Sequence, residues 1–361
     1  MKLTKVMDKR GQKAFIRFRK ELYKRNPVYV DNNLFMLKEV FARKTSFTEN
    51  KQISVINVEK DETVVCQGII VYAKDLKDYI QLCFFESLPE QHEAVRLLVE
   101  EAIRVGKKYG CKKLVIGLNG HVNYGLGFLN SHFDTINSFS AAANPEYYNA
   151  YFKELGCEEI HLNSYRMNTL DERIHKYDPL IRKLNKNYTF RTFDKKEFKK
   201  YAQIYTDLNN RSFNNHRYYY TRREKEDIEM LKELFLFMKP DSLIFAFDGD
   251  TPVGFIMWYP DFNELVKPGD YFGAKHYIKN KLFGSRIRKI KVMEYGVLPE
   301  YRKTGLPLGL LNKVFEIVKR RGFTSVESSW ILEENRDSNS FCEAMCDQLY
   351  KRYVVYEKEI C

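Results

Sequence analysis

The chain has 361 residues, 44% of them hydrophobic and 15% aromatic, with a formal net charge of +12. This length exceeds one ordinary domain and the composition excludes a disordered or low-complexity chain, so two folded units are expected. The positive charge suits a polyanion, whether nucleic acid, a membrane surface or a phosphorylated cofactor, but the basic residues are scattered and form no nucleic-acid tail.

The amino terminus is basic without an apolar run of signal-peptide length, and no later segment reaches the length of a membrane span. A cytoplasmic location without a membrane partner is therefore expected. Seven cysteines (Cys66, Cys83, Cys111, Cys157, Cys342, Cys346 and Cys361) are scattered with no Cys-x-x-Cys pair. This disfavours a disulfide framework and a zinc site, so no metal is expected even at Cys342 and Cys346, one helical turn apart.

In the first half, strands are expected at Ile53–Val58, Val64–Tyr72 and Tyr79–Phe85, then a long helix with Val99, Ala102 and Ile103 on one face. Gly110 ends that helix before another strand. Residues 171–187, polar and charged with Pro179, read as a linker. The second half begins with a strand near Tyr188–Phe193 and a helix with Phe198, Ala202 and Tyr205 on one face, followed by a helix over Glu224–Met238. The strands Leu243–Phe247 and Val253–Trp258 flank the hairpin signal Asp248-Gly249-Asp250. A basic, aromatic insertion, Asp261–Arg288, precedes a strand at Ile290–Val297. A helix then carries Leu311, Val314, Phe315 and Val318 on one face and stops at Gly322. Strand, strand, strand, helix, Gly, strand thus occurs twice in the same order, which argues for a duplicated fold.

The chemistry concentrates in Gly296-Val297-Leu298-Pro299-Glu300-Tyr301-Arg302-Lys303-Thr304-Gly305-Leu306-Pro307, which joins a strand directly to a helix. A short loop there aims backbone N–H groups and the positive end of the helix dipole at a pyrophosphate. Gly305 permits close approach and Arg302 adds charge. In the first half the corresponding stretch, Glu86-Ser87-Leu88-Pro89-Glu90-Gln91-His92-Glu93-Ala94, has neither the Arg nor the Gly, and its three acids would repel an anion.

The stretch resembles the acyl-CoA loop of GNAT acetyltransferases: Arg or Gln, two residues, Gly, one residue, then Gly or Ala. Arg302 and Gly305 match, while Pro307 replaces the last small residue. The tail Ser329-Trp330-Ile331-Leu332-Glu333-Glu334-Asn335 and Tyr350–Lys358 is similar to the end of a bacterial family of tandem GNAT proteins, as are Phe15-Ile16-Arg17-Phe18, Asn26-Pro27, Asn144-Pro145 and Tyr147-Tyr148. The resemblance implies an α+β fold of two tandem GNAT-like domains, each a mixed, mainly antiparallel sheet flanked by helices. The expected division is a degenerate copy at 1–170, a linker at 171–187 and an acyltransferase domain at 188–361.

The resemblance also implies roles. Val297 presents backbone groups to the pantetheine arm, Arg302, Lys303, Thr304, Gly305 and Leu306 form the phosphate loop, and Asn335 lies near the CoA arm, a role that does not exclude capping a helix. Glu294 is the available strand base, its plainer reading being a surface or salt-bridged carboxylate beside Lys291. At the usual position of an acidic Tyr the chain has Cys342, so Tyr350 or Tyr353 would have to substitute. Candidate acceptor-binding residues are His216 and Tyr218 between two helices, Tyr271 in the insertion, and Asn123 and Tyr147 on the first copy. The implied activity is direct acyl transfer, with acetyl-CoA or another acyl-CoA as co-substrate, to an amine of a small molecule or peptide. Alternatives are a non-catalytic CoA-binding protein and an aminoacyl-tRNA-dependent peptidyl transferase. A plain nucleic-acid-binding module ranks last.

Overall fold

The computed structural model describes residues 1–42, 45–168 and 172–360. The expected boundary at residue 170, and Cys361, lie outside the described residues. The first half contains β1 (Lys2–Lys5), α1 (Lys9–Tyr23), α2 (Leu34–Ala42), α3 (Ser46–Glu49), β2 (Lys51–Lys60), β3 (Thr63–Ala73), β4 (Tyr79–Ser87), α4 (His92–Lys108), β5 (Lys113–Ile116), β6 (Phe128–Leu129), α5 (Tyr147–Glu154) and β7 (Glu158–Asn168). The remainder contains α6 (Asp178–Asn187), β8 (Thr189–Thr192), α7 (Phe198–Phe213), α8 (Glu224–Leu234), β9 (Leu243–Asp248), β10 (Thr251–Pro260), α9 (Ala274–Phe283), β11 (Lys289–Val297), α10 (Leu306–Arg320), β12 (Ser325–Ser328), β13 (Ile331–Leu332), α11 (Arg336–Met345) and β14 (Gln348–Glu359). The expected α+β architecture is present in both halves.

The helices follow their apolar periodicity. Ala94, Val95, Leu98, Val99 and Ala102 bury one face of α4, and Leu310, Leu311, Val314, Phe315 and Val318 bury one face of α10. The expected linker is helical over much of its length. Pro179 sits in the first turn of α6, where its missing N–H costs nothing, and Ile181 and Leu184 are buried.

All strands belong to one sheet, in the order β1-β2-β3-β4-β5-β14-β7-β12-β11-β10-β9-β8, with β6 on β14 and β13 on β7. Neighbours are antiparallel except β4–β5 and β11–β12, which are parallel. In each half the short fifth strand is flanked by the last strand of the other half: β14 lies against β5, and β7 against β12. The two exchanged strands also pair with each other from Gln348↔Arg166 to Glu357↔Glu158. Among the described residues no helix is long and apolar enough to cross a membrane.

Candidate functional site

The strand β11 carries an extra residue. Met257 pairs with Glu294 while Trp258 pairs with Val292, so Met293 is bulged out of the ladder. The bulge turns Glu294 toward α7, where the Tyr205 hydroxyl donates a short hydrogen bond to Oε2 and the Asn209 amide donates a second at 2.9 Å. Tyr219 in turn donates to Asn209 Oδ1 at 3.1 Å. The other carboxyl oxygen, Oε1, is buried with no hydrogen-bond partner among the described residues. Burial pushes the Glu294 carboxyl up to about 7, against the hydrogen bond from Tyr205 and the charge of Arg222. Arg222 is itself held by Asp227 at 2.7 Å in a fully buried ion pair. Near neutrality this carboxyl is thus poised between its acid and base forms. Lys291, its partner in the plainer reading, is instead buried beside Glu327, its cross-strand neighbour.

On the opposite face, β11 and β12 pair only as far as Val292↔Ser328, and the Ser329 amide closes the ladder on the Val292 carbonyl at 2.8 Å. The chain then leaves β11, and Ile331–Leu332 pairs with β7. This parting leaves Tyr295 beside α11, its ring edge-on to Phe341 at 6.1 Å and its buried hydroxyl without a hydrogen-bond partner among the described residues. The first half treats the same place differently. After Leu82↔Ile116 the following loop continues along β4: Gly117 N–H donates to Leu82 O, the Cys83 thiol donates to Leu118 O at 2.9 Å, and Asn119 Oδ1 accepts from Phe84 N–H at 3.0 Å. The gap between β4 and β5 is filled by this chain's own loop.

Gly305 immediately precedes α10 at φ 82°, a left-handed conformation that L side chains disfavour. The Thr304 hydroxyl donates to Tyr301 O at 2.8 Å and accepts from Leu306 N–H at 3.3 Å, which tightens the entry to the helix. Lys303 is exposed, whereas the Leu306 side chain is wholly buried, so only its backbone faces the loop. Arg302 donates to the carbonyls of Val297 at 3.3 Å and Ser212 at 2.9 Å, tying the loop to the end of α7. Val297 is buried at the end of β11. No acid lies in the first turn of α10, while Glu93 occupies the first turn of α4. Asn335 caps α11 by accepting from Ser338 N–H at 3.2 Å.

The remaining candidates disperse. His216 packs on Trp330 at 5.6 Å, and burial lowers its imidazole to about 4. Tyr218 is fully buried and donates to Glu357 on β14 at 2.8 Å. Asn123 donates its backbone N–H to His121, whose other ring nitrogen contacts Tyr220 O at 3.1 Å, so this first-half loop meets the segment following α7. Tyr350 packs at a tilt against His132 at 5.2 Å and lies under Arg166 at 5.0 Å. Tyr271 lies under Lys20 at 4.0 Å and bridges to Asp31, joining the insertion to the first half. Tyr147 donates to Ser87 O at 2.8 Å beside Tyr148. Cavities of about 290 Å³ at the ends of β7, β12 and β14 and about 470 Å³ between α4 and β1 to β3 do not include Glu294 in their lining.

Sequence reasoning missed Tyr205 as a polar residue, Asn209 as a direct partner of Glu294, Tyr295, and a first-half loop at residues 136–140. That loop is clamped onto the Glu294 face of the second half. Ser138 donates to Glu327 at 2.6 Å, Phe139 N–H donates to Asp261 at 2.8 Å, and Lys351 donates to Ile136 O at 3.4 Å. The Asn263 amide donates to Asn137 O at 2.7 Å, and Ser140 meets the Tyr259 hydroxyl beside Met293.

Residues 201–347, which include the parting β11–β12 pair, the bulged carboxylate and the glycine-led helix start, match the acetyltransferase (GNAT) family model. That stretch is a GNAT-family domain, and the chain as a whole has the tandem GNAT fold. Among particular relatives, Protein YghO of Escherichia coli K12 is 26% identical over 269 residues, covering 70% of this chain and 67% of that protein. A tandem GNAT protein from the clavulanic acid biosynthesis pathway superposes with TM-score 0.55 at 12% identity, over 100% of this chain and 98% of its own. A GCN5-related glucosamine N-acetyltransferase region of a fungal multi-domain GH3 β-N-acetylglucosaminidase gives TM-score 0.58 at 14% identity, over 99% of this chain and 38% of that one. At these identities the structural likeness concerns the fold alone. GNAT-family proteins use acetyl-CoA.

Proposed function

We propose that the chain is an acyl-CoA-dependent N-acyltransferase, most simply an N-acetyltransferase, that transfers the acyl group directly to an amine of a small molecule or peptide. The observation that carries this reading is the buried Glu294 carboxyl at the β11 bulge, held by Tyr205 and Asn209 and backing onto the parting of β11 and β12. The residues present fit an acyl-CoA. The parting strands can pair with an extended pantetheine arm, and the start of α10, free of acids, suits a pyrophosphate. When bound, the thioester supplies the activated acyl group. Glu294 takes the proton from the attacking amine, directly or through one water. Tyr205 and Asn209 orient it, and Tyr295, with its unsatisfied hydroxyl on the thioester side, donates a hydrogen bond to the departing sulfur in the place where Cys342 is too short.

We assign the acyl-CoA site to residues 188–361 and the shaping of the acceptor site to residues 1–170. The filled gap between β4 and β5 supports a single nucleotide site, and the clamp at residues 136–140 supports an acceptor face completed by the first half. Incubation with acetyl-CoA and a panel of amines, following release of free thiol, tests the activity. Saturable CoA binding with no turnover on any amine would replace this reading by a ligand-binding one.

A further inference from the structure

The insertion between β10 and β11 serves neither the acyl loop nor the Glu294 cluster, yet its helix α9 has an unusual exterior. Ile278 is 60% exposed and Leu282 66%. With Ala274 they recur every four residues, which lines them up as one apolar stripe along the solvent side. Leu236, 58% exposed, adjoins it: the next residue, Phe237, accepts a hydrogen bond from Asn280 at 3.2 Å and meets the Tyr277 ring at 5.9 Å.

The helix cannot roll to hide this stripe. On its inner side His276 is completely buried and stacks on Phe272 at 5.3 Å, and one turn further along the same side Asn280 is held by its hydrogen bond to Phe237 O. The stripe is flanked by cations, with Lys281 on one edge and Lys275 and Lys279 on the other. From residue 267 to 289 there are seven Lys or Arg residues and a single acid, Asp270, which pairs with Lys275 at 2.5 Å.

We propose that α9, together with Leu236, docks the protein onto the surface of an anionic lipid bilayer. The helix lies in the plane of the interface, its apolar stripe among the upper acyl chains and its lysines reaching the phosphates. A narrow apolar stripe edged by exposed lysines on both sides matches an interface that changes from hydrocarbon to anionic headgroups within one helix radius. A protein partner would need acidic groups placed opposite each lysine, whereas a bilayer supplies them at every azimuth. Docking of this kind needs no membrane-spanning helix and is independent of the acyltransferase reading.

The test is co-sedimentation of the full chain with vesicles of phosphatidylcholine alone and of phosphatidylcholine with phosphatidylglycerol. Binding is expected only to the anionic vesicles, weakening as salt is raised. Ile278→Ser with Leu282→Ser should lower the partition coefficient by more than about tenfold while leaving the melting temperature and the thermal response to CoA unchanged, because both side chains are already in water. Lys279→Glu with Lys281→Glu should lower it similarly. Failure to bind anionic vesicles overturns the proposal. So does undiminished binding by the Ile278/Leu282 variant, which would assign the affinity to the scattered surface charge. Self-association of the wild-type chain that the same variant abolishes would overturn it in favour of a second copy as the occupant.

Discussion

Replacing Glu294 by Gln separates a catalytic carboxyl from a merely buried one. Its folded value of about 7 stands well above the ordinary 4.5, chiefly because burial disfavours the charged form. A raised acid value means that the folded chain holds its proton when the unfolded chain has released it, so this group's contribution to stability falls as pH rises from about 4.5 through 7. At about 1.4 kcal/mol per pH unit, the full difference above pH 8 is roughly 3 kcal/mol. Gln keeps the shape and stays neutral. With about 1 kcal/mol allowed at every pH for altered hydrogen bonds to Tyr205 and Asn209, Glu294→Gln should be about 1 kcal/mol less stable than the wild type near pH 4 and about 2 kcal/mol more stable at pH 8. For a chain of this size that is a few degrees in Tm, roughly 2 to 5. Turnover should move the other way. Wild-type kcat/KM should rise with pH through about 7 and level off, while the variant loses roughly 10²- to 10⁴-fold and the inflection, with the KM for acetyl-CoA nearly unchanged. Thermal melts at pH 5 and 8 and thiol-release kinetics over the same range measure both. A variant that gains stability yet keeps the wild-type pH–rate profile refutes the assignment of Glu294 as base.

Gly305→Asp should abolish the rise in melting temperature produced by CoA, since the new side chain crowds Leu180 of α6, puts a negative charge beside the phosphate loop and adopts a φ of 82° that costs about 1 kcal/mol; an undiminished shift would show that CoA binds elsewhere. Calorimetric titration with CoA should give one site per chain, because the corresponding gap in the first half is closed by Leu118 and Asn119; two sites would contradict the division of labour. Tyr295→Phe should leave the fold as stable or slightly more so, removing a buried hydroxyl without a partner at a gain of up to about 1 kcal/mol, while turnover falls; unchanged turnover would return Tyr295 to the core. Ser138→Ala should raise the KM for the amine more than that for acetyl-CoA if the loop at residues 136–140 frames the acceptor face, and equal changes in the two would detach it from that face.

Much of the sheet was legible because local patterning wrote it. Alternation marked β2 to β4 and β9 to β11, and glycines with positive φ at Gly110 and Gly322 end α4 and α10 at matching places. The hairpin at Asp248-Gly249-Asp250 follows from turn chemistry alone. The surroundings of Glu294 were less legible. Tyr205 reads as a core residue on the apolar face of α7, and it is one; only its hydroxyl, which needs a partner when buried, hinted at a polar contact. Asn209 lies one turn further along that helix, but its pairing with Glu294 spans 85 residues of chain and no short-range pattern encodes it. Tyr295 is adjacent to Glu294 in sequence yet faces the other side of the sheet, and period-two alternation could have separated the two roles had the bulge at Met293 been visible. The clamp at residues 136–140 lies in a loop without periodicity, where pattern reading has nothing to grip.

The exchange of β7 and β14 has a consequence in the order of synthesis. As the chain leaves the ribosome, β5 appears early, but the strand that flanks it in the finished sheet is the last of those described to be made. Throughout translation of the second half, β5 therefore presents an unpaired edge, the kind of surface that recruits strands from other chains. Its natural partner arrives only after β12, the strand on which β7, made far earlier, comes to rest. Neither half can finish its sheet alone, so both should become protease-resistant in a single late step. A chain stopped before Gln348 should remain open to aggregation through β5 even though every residue of its first half is already present.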